Sequence, residues 1–169
     1  MNRETLRELL AQLLRNYQLD LFEEEAGLDH EETKVLASLP WTAHRLEISR
    51  YGSDTRWLNT WKKAFHGTDL KGVTGIVGQG FKLEHSKRGL YGDGIYATPD
   101  FGVAAAYAMQ KVFSHKGKQY LAVVEIRIDP DKMEVKVPKD FPNTKYYIVK
   151  SEDGIRPTAI ILHELTDKK

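Results

Sequence analysis

A histidine, a glycine and a threonine stand together where a short apolar strand is predicted to end. The triplet His66-Gly67-Thr68 closes the strand predicted over residues 63–66. A glycine lets a ligand approach the backbone N–H and C=O groups closely, and a histidine can donate a hydrogen bond to a ribose hydroxyl. A histidine at the end of a strand is more often structural, so the triplet alone identifies no site.

A glycine-rich turn precedes the next predicted strand and helix. The sequence YGDGIY spans residues 91–96, and a helical run begins at Phe101. Residues 92–97 formally match the looser GxGxxA form of the dinucleotide fingerprint, which has to follow a strand and open a helix directly. Here a strand and then Thr98-Pro99 come before the helix. The segment therefore predicts a turn, with a plain hairpin as the alternative, and the Rossmann interpretation is rejected.

Two tyrosines are spaced so that their rings could face each other. Tyr96 lies on the predicted strand, and Tyr107 lies eleven residues later on the following helix. Such a pair can clamp a planar aromatic ligand between its faces. Two tyrosines at this spacing more often belong to the core, so the pair alone leaves both interpretations open.

Together these motifs resemble the catalytic domain of the poly(ADP-ribose) polymerases, the branch of the ADP-ribosyltransferases related to diphtheria toxin. That family shows HG[ST] at the end of its first strand, then GxGIY, then a tyrosine eleven residues beyond the GIY tyrosine. This sequence has His66-Gly67-Thr68, Gly92-Asp93-Gly94-Ile95-Tyr96 and Tyr107 in the same order and spacing. The resemblance covers roughly residues 61–165. It implies an α+β fold with the split, mixed sheet of ADP-ribosyltransferases, and NAD⁺ as co-substrate.

The resemblance also implies a role for each motif residue. His66 would hydrogen-bond a ribose hydroxyl of NAD⁺, and Thr68 would assist at the ribose. Gly67 would hold the carboxamide through its backbone, and Tyr96 and Tyr107 would stack on the nicotinamide ring. Cleavage of the nicotinamide–ribose bond passes through an oxocarbenium-like state, so the site needs to hold the leaving group and the ribose rather than supply a strong nucleophile.

Two positions depart from the family pattern. Ala104 stands three residues before Tyr107, where the family often has serine, so a side-chain hydrogen bond to the carboxamide would be missing. Tyr146 opens the segment YYIV, where the family has a glutamate that orients a ribose hydroxyl for chain elongation. Family members without this glutamate are typically mono-ADP-ribosyltransferases or inactive. Glu152 and Glu125 are the nearby carboxylates that could substitute for it.

Two functions from different classes therefore stay open. The first is a transferase that moves single ADP-ribose units from NAD⁺ to an acceptor, with a protein as the favoured acceptor, and His66, Tyr96 and Tyr146 as its catalytic positions. The second is an inactive module of the same fold that binds NAD⁺, ADP-ribose or a partner. In either case Lys87 and Arg88 could pair with the pyrophosphate, although solvated loop charges are the commoner case.

The elements that must position these residues divide the chain into two predicted parts. Residues 1–45 are predicted to be helical, with an amphipathic helix around residues 6–17 and a second helix over residues 29–39 that Pro40 ends. We expect this part to pack on the body, because its leucine face needs an apolar surface. Residues 46–169 form the predicted catalytic domain. Its predicted strands cover residues 63–66, 94–97, 120–128, 133–137, 146–150 and 158–162, and its predicted helices cover residues 73–78 and 101–113.

The composition excludes several classes of function. With 25 basic and 24 acidic residues among 169, the net charge of +1 indicates neither nucleic-acid nor membrane binding. The absence of cysteine excludes disulfides, thiolate nucleophiles and cysteine-ligated zinc. The N-terminus interleaves charges with leucine and lacks the apolar run of a signal peptide or membrane span, so we expect a soluble, intracellular protein. No metal site is predicted, because ligand spacing such as HxxxH is absent among His30, His44, His85, His115 and His163.

Overall fold

Four α-helices and ten strands build the described part of the chain. The computed structural model describes residues 30–82, 88–89, 92–138 and 144–165. The helices are α1 (His30–Ala37), α2 (Trp57–Thr60), α3 (Leu70–Gln79) and α4 (Phe101–Met109). The strands are β1 (Thr42–Arg45), β2 (Lys62–Thr68), β3 (Arg88–Gly89), β4 (Gly92–Asp93), β5 (Ile95–Ala97), β6 (Phe113–His115), β7 (Lys118–Ile128), β8 (Met133–Lys136), β9 (Tyr146–Val149) and β10 (Ile155–Glu164). None of the described helices has the length and apolar character needed to cross a membrane.

The longer strands form one sheet of five strands and one of three. The larger sheet has the order β1-β10-β7-β2, with β6 also paired to β7, and the smaller has the order β5-β9-β8. A bridge between Phe65 of β2 and Thr98 joins the two sheets. Helices combined with sheets confirm the predicted α+β class. Every pairing among the described strands is antiparallel, so the parallel pairs of the predicted mixed sheet are not among them.

Strand β7 lies at the centre of the core. Residues 121–126 are buried without interruption, which explains why this segment has an almost continuous apolar sequence. Successive side chains of a strand point to opposite faces of the sheet. Leu121 and Val123 accordingly belong to the apolar cluster that α1 and α4 cover, while Val124 and Ile126 belong to the cluster beneath α3 and the smaller sheet. The larger sheet is therefore covered on both faces.

The N-terminal part of the chain differs from the prediction at its end. Helix α1 lies within the second predicted helix, and Leu36 and Leu39 pack in the same cluster as α4. Residues 42–45, predicted to be helical, instead form β1, which pairs with β10. All four side chains of β1 are exposed, so no apolar periodicity marks this strand in the sequence. The predicted helix around residues 6–17 lies outside the described residues.

Helix α4 is shorter than the sequence predicts. It ends at Met109 instead of residue 113, and Phe113 opens β6. Strands β6 and β7 form a hairpin whose two turn residues, Lys116 and Gly117, have φ values of 51° and 79°. A type I′ turn requires positive φ at both central residues. Because of this turn, residues 113–115 pair with β7 instead of continuing the helix. Every other predicted strand and helix of the body overlaps an observed element.

A buried carboxylate on β7 links the strands of the larger sheet. Glu125 accepts hydrogen bonds from Thr158 of β10 at 2.7 Å and from Arg45 of β1 at 2.6 Å, and lies 3.5 Å from the ammonium of Lys63 on β2. Burial alone would raise the pKa of Glu125. The hydrogen bonds from Thr158 and Arg45 and the charge of Lys63 outweigh burial and hold this pKa below its ordinary value. Glu125 is therefore a charged group that connects β7 to β1, β2 and β10.

Replacing Glu125 with alanine should lower the free energy of unfolding by about 2 kcal/mol. Thr158 would lose its side-chain acceptor, and the ion pairs of Glu125 with Arg45 and Lys63 would be lost. Urea unfolding measures this, with Glu134→Ala as the control. Glu134 pairs with Lys150 at 3.8 Å on the surface, and its loss should cost less than about 0.5 kcal/mol. Because the folded pKa of Glu125 is lowered, its contribution is present above the unfolded pKa and is lost as the pH falls through the folded pKa. Equal stability of the two variants would contradict the assignment.

Candidate active site

A cavity of about 390 Å³ opens where β2 ends and α3 begins. Its walls come from the end of β2, one side of α3, β5 and the end of α4. The three sequence motifs all reach it, with His66, Gly67 and Thr68 on β2, Tyr96 on β5 and Tyr107 on α4. Small-molecule sites usually have volumes of roughly 300–1,000 Å³, so this cavity has the size of a ligand site.

The backbone of Gly67 faces this cavity because β2 is an edge strand of the larger sheet. One side of β2 pairs with β7, and on the other side Phe65 exchanges hydrogen bonds of 2.8 and 3.0 Å with Thr98. The backbone groups of alternate residues in an antiparallel strand point to the same side. Gly67 follows Phe65 by two residues, so its N–H and C=O point away from β7 and towards the cavity.

Helix α4 packs directly against the α-carbon of Gly67. A Cβ at this position would collide with the carbonyl oxygen of Ala104 and would lie 2.8 Å from the backbone nitrogen of Ala108. The missing side chain therefore allows the close approach of α4 to β2. Tyr107 lies between these two alanines on the helix, and the same contact brings it to the end of β2.

His66 is held as a hydrogen-bond acceptor towards the cavity. Its Nδ1 lies 2.7 Å from the carbonyl oxygen of Tyr96, so Nδ1–H donates to that carbonyl and Nε2 of the neutral ring carries the lone pair. Burial has the largest effect on His66 and lowers its pKa, and the charge of Lys111 lowers it further. The hydrogen bond to Tyr96 and the charge of Asp69 raise this pKa, but the net value lies below the ordinary 6.5. The sequence indicated that His66 can donate a hydrogen bond to a ribose hydroxyl. With Nδ1–H engaged, the ring instead accepts at Nε2.

Tyr96 and Tyr107 line the cavity from two different elements. Both are nearly buried, with 3 % and 4 % of their surface exposed, and both belong to the apolar cluster around α4. The ammonium of Lys111 lies 5.2 Å from the ring centroid of Tyr107. Because the two tyrosines and Gly67 line the same cavity, a planar aromatic group is a suitable ligand for it. Stacking of a ligand between them stays a prediction.

Neither Ala104 nor Tyr146 is among the described residues that line the cavity. Ala104 touches Gly67 through its backbone, and its side chain is buried in the core of α4. Tyr146 opens β9 with 1 % of its surface exposed and belongs to the same apolar cluster as Tyr96 and Tyr107. The position where the family has its glutamate is thus filled by a buried phenol, and its effect on catalysis stays a prediction.

The two carboxylates considered as substitutes for that glutamate lie elsewhere. Glu125 is paired with Phe65 across β7 and β2, whereas His66 is paired with Val124, so Glu125 and His66 lie on opposite faces of the sheet. Glu125 is bound there by Arg45, Lys63 and Thr158 and is not among the described residues that line the cavity. Glu152 lies 3.5 Å from Lys82, which lines the cavity, but Glu152 is not on its described wall.

The cavity wall also contains charged residues that the sequence did not indicate as site residues. Asp69 and three lysines, Lys71, Lys82 and Lys111, line it. Asp69 immediately precedes the apolar run of α3, and this position is a helix N-cap signal that the sequence does contain. The lysines have no comparable signal, because each reaches the cavity through the packing of its helix or loop. The side chains of Lys87 and Arg88, suggested for the pyrophosphate, lie outside the described part of the chain.

A comparison with protein families identifies the family of this chain. Residues 21–158 match the family model of the poly(ADP-ribose) polymerase catalytic domain, and the chain belongs to this family. The match begins well before residue 61, so it also includes part of the segment that the motif resemblance left out. No curated protein matches the chain at a significant level. The family assignment therefore rests on the family model together with the three motifs around one cavity.

Gly67→Ala should lower the free energy of unfolding by about 2 kcal/mol and separate α4 from β2, because its Cβ has no space against Ala104 and Ala108. Gly78→Ala on α3 is the matched control. A Cβ at Gly78 meets nothing within 4 Å, so this change should be neutral or stabilise by about 0.5 kcal/mol. Chemical unfolding of both variants, followed by circular dichroism, measures the difference. A Gly67→Ala variant as stable as the Gly78→Ala variant would contradict the packing described here.

Proposed function

We propose that this protein is an NAD⁺-dependent ADP-ribosyltransferase that moves single ADP-ribose units to an acceptor and releases nicotinamide. The observation that carries the proposal is the outer backbone edge of Gly67, with which no described strand pairs and which shares one cavity with Tyr107 and His66. The family assignment supports the same class of reaction. The favoured acceptor is a protein.

The edge of β2 is complementary to the nicotinamide carboxamide. A primary carboxamide offers an N–H donor and a C=O acceptor side by side, and Gly67 offers the opposite pair with its own C=O and N–H. The phenol rings of Tyr96 and Tyr107 supply apolar faces for the pyridine ring. Because Gly67 uses backbone groups, this recognition does not need the serine hydroxyl that Ala104 replaces.

His66 acts on the ribose in this proposal. With Nδ1–H bound to the carbonyl of Tyr96, Nε2 accepts a hydrogen bond from a ribose hydroxyl and fixes the sugar relative to the nicotinamide. Positive charge develops on the ribose as the bond to nicotinamide breaks. A neutral imidazole adds no opposing charge, whereas a protonated one would both repel the developing cation and lose its acceptor.

Transfer of single units follows from Tyr146. A phenol with a pKa of about 10 carries no negative charge at neutral pH, so it cannot activate a ribose hydroxyl as the family's glutamate does. In this proposal Glu125 does not take over the role, because it is engaged by Arg45 and Thr158 and is not on the described wall of the cavity. Chain elongation therefore lacks the carboxylate it requires.

The tyrosine in place of the family's glutamate also favours a second function, an inactive module that binds NAD⁺ or ADP-ribose without cleaving it. Tyr146 is the residue that favours it, while His66, Tyr96 and Tyr107 favour turnover. The two functions differ in one measurable product, free nicotinamide. Incubation with NAD⁺, followed by a mass-spectrometric search for nicotinamide and for ADP-ribose on the protein or an added acceptor, distinguishes them. Binding without either product would establish the inactive module.

His66→Ala should reduce nicotinamide release at least about 100-fold while the circular dichroism spectrum stays unchanged, because the ribose loses its acceptor. His115→Ala is the control, since His115 is exposed on β6. In the unmodified protein the rate should fall as the pH drops through the pKa of His66, which lies below 6.5, and should be constant above it. Wild-type rates in folded His66→Ala would contradict the role of this histidine.

The reaction product should carry one ADP-ribose unit per site, because Tyr146 cannot activate a second ribose. Digestion of the product with phosphodiesterase and mass spectrometry measure the chain length. Single units give AMP and phosphoribose on the acceptor. Phosphoribosyl-AMP from internal units would contradict single transfer and would point to Glu152 as the working carboxylate.

A further inference from the structure

Three cationic side chains form a row across the larger sheet. Arg156 of β10 is paired with Arg127 of β7, and Arg127 is paired with Lys63 of β2. Residues directly opposite each other on antiparallel strands point to the same face, and their Cβ atoms lie about 5 Å apart. Like charges in such positions repel each other and destabilise the sheet. This basic row, Arg156, Arg127 and Lys63, therefore has to be balanced by negative charge.

The described residues supply little negative charge to the basic row. Glu125 is a carboxylate on the same face, and it is shared by Arg45 at 2.6 Å and by Lys63 and Arg127 at 3.5 Å each. No described residue accepts a hydrogen bond from the guanidinium of Arg156. Four cations thus share one carboxylate, which leaves an excess of positive charge on this face.

Other charges that interact with Arg156 are already paired with each other. The charge of Arg156 acts on Asp54 and on Lys132. Asp54 is bound by Arg56 at 2.7 Å, and Lys132 binds Asp153 at 2.8 Å. Each of these pairs is neutral overall, so neither of them balances the charge of Arg156.

Three aromatic rings surround the guanidinium of Arg156. Its central carbon lies 4.7 Å from the ring centroid of Tyr51, 4.8 Å from that of Trp57 and 4.6 Å from that of Trp61. Trp57 is buried, and its indole N–H has no hydrogen-bond partner among the described residues. Tyr51 and Trp61 are partly exposed. The basic row therefore ends in an aromatic cluster, Tyr51, Trp57 and Trp61.

The basic row is accessible and separate from the cavity of the candidate active site. Side chains of a strand alternate between faces, so Lys63 and His66 point to opposite faces of β2. Neither the row nor the aromatic cluster is among the described residues that line the cavity. The side chain of Lys63 is 54 % exposed, and that of the adjoining Arg45 is 69 % exposed. A large ligand can therefore reach this surface without entering the cavity.

We propose that the basic row and the aromatic cluster form a binding surface for single-stranded nucleic acid. The phosphates of the strand bind the cations, and its bases stack on Trp61, Tyr51 and the guanidinium plane of Arg156. Cations next to aromatic rings are typical of surfaces that bind single strands without sequence preference. An acidic peptide would use the cations but leave the aromatic rings without a role. The net charge of +1 for the whole chain does not describe this surface, because clustered charges create a local field.

The double substitution Lys63→Gln/Arg156→Gln removes the two ends of the basic row. Lys118→Gln/Lys150→Gln is the matched control, because it removes two cations that pair with glutamates elsewhere on the surface. Trp61→Leu removes one aromatic face without changing the charge. Lys63→Gln alone is the second variant should the double variant fail to fold, and thermal unfolding verifies the folded state of each protein.

The experiment measures binding of a labelled oligouridylate of about 12 nucleotides by fluorescence anisotropy at several salt concentrations. The unmodified protein and the control should bind it with Kd values within about twofold of each other and should bind a polyglutamate peptide at least about tenfold more weakly. Lys63→Gln/Arg156→Gln should raise the Kd at least about tenfold. Each lost phosphate contact should also lower the slope of log Kd against log salt by about 0.7, so Lys63→Gln alone should show one such step. Trp61→Leu should weaken binding at least about fivefold with the slope unchanged.

Several results would overturn this proposal, and none of them bears on the proposed function, because no measurement involves NAD⁺. The first is no binding of the oligouridylate by the unmodified protein at about 50 mM salt. The second is an equal loss of binding in both double variants, which would indicate a general effect of charge. An unchanged salt slope in the folded variants of the row would exclude phosphate contacts there. Tighter binding of polyglutamate than of the oligouridylate would assign the surface to an acidic protein segment instead.

Discussion

The close approach of α4 to β2 at Gly67 is the contact on which the site depends. Backbone atoms of Ala104 and Ala108 occupy the space that a side chain at residue 67 would take. Because protein interiors are closely packed, an added methyl group at this position would force side chains and backbone to shift. The contact brings Tyr107 next to the end of β2, where His66 already lies. The glycine of the HGT motif therefore has a packing role in addition to any contact with a ligand.

The second requirement is that, within the described part of the chain, no strand pairs with the outer edge of β2 beyond Phe65. The smaller sheet approaches β2 only at the bridge with Thr98, and the strand continues for three residues past that point. Unpaired backbone groups at a sheet edge normally attract another strand. Here this edge of β2 borders the cavity between α3 and α4. The backbone N–H and C=O groups of the edge can therefore bind a small ligand. Glu125 stabilises the larger sheet, to which β2 belongs, by linking β7 to β1, β2 and β10.

The sequence predicted the parts of the fold that depend on local patterns. The buried strand β7, the strand that carries Tyr96 and the helix that carries Tyr107 each have a characteristic pattern, and their motifs do converge on one cavity. The turn predicted before Tyr96 differs, because Gly92 and Asp93 form the short strand β4. Strand β1 was missed because all its side chains are exposed and only its pairing with β10 defines it. The end of α4 was misplaced because the Lys116-Gly117 turn was not recognised.

The errors at the site have a different cause. Whether Glu125 faces the same side as His66 depends on strand register, and a shift of one residue along a strand reverses the face. The donor or acceptor state of His66 depends on the carbonyl of Tyr96, which is distant in sequence. Asp69 carries an ordinary capping signal, and only the position of the cavity shows that it also faces a ligand site.

The most direct measurement of the central claim is a crystal structure of the protein soaked with nicotinamide. The account predicts that the carboxamide binds the N–H and C=O of Gly67 and that the ring lies against Tyr96 and Tyr107. Nicotinamide bound away from the edge of β2, or a backbone of Gly67 that is paired with another strand, would contradict it.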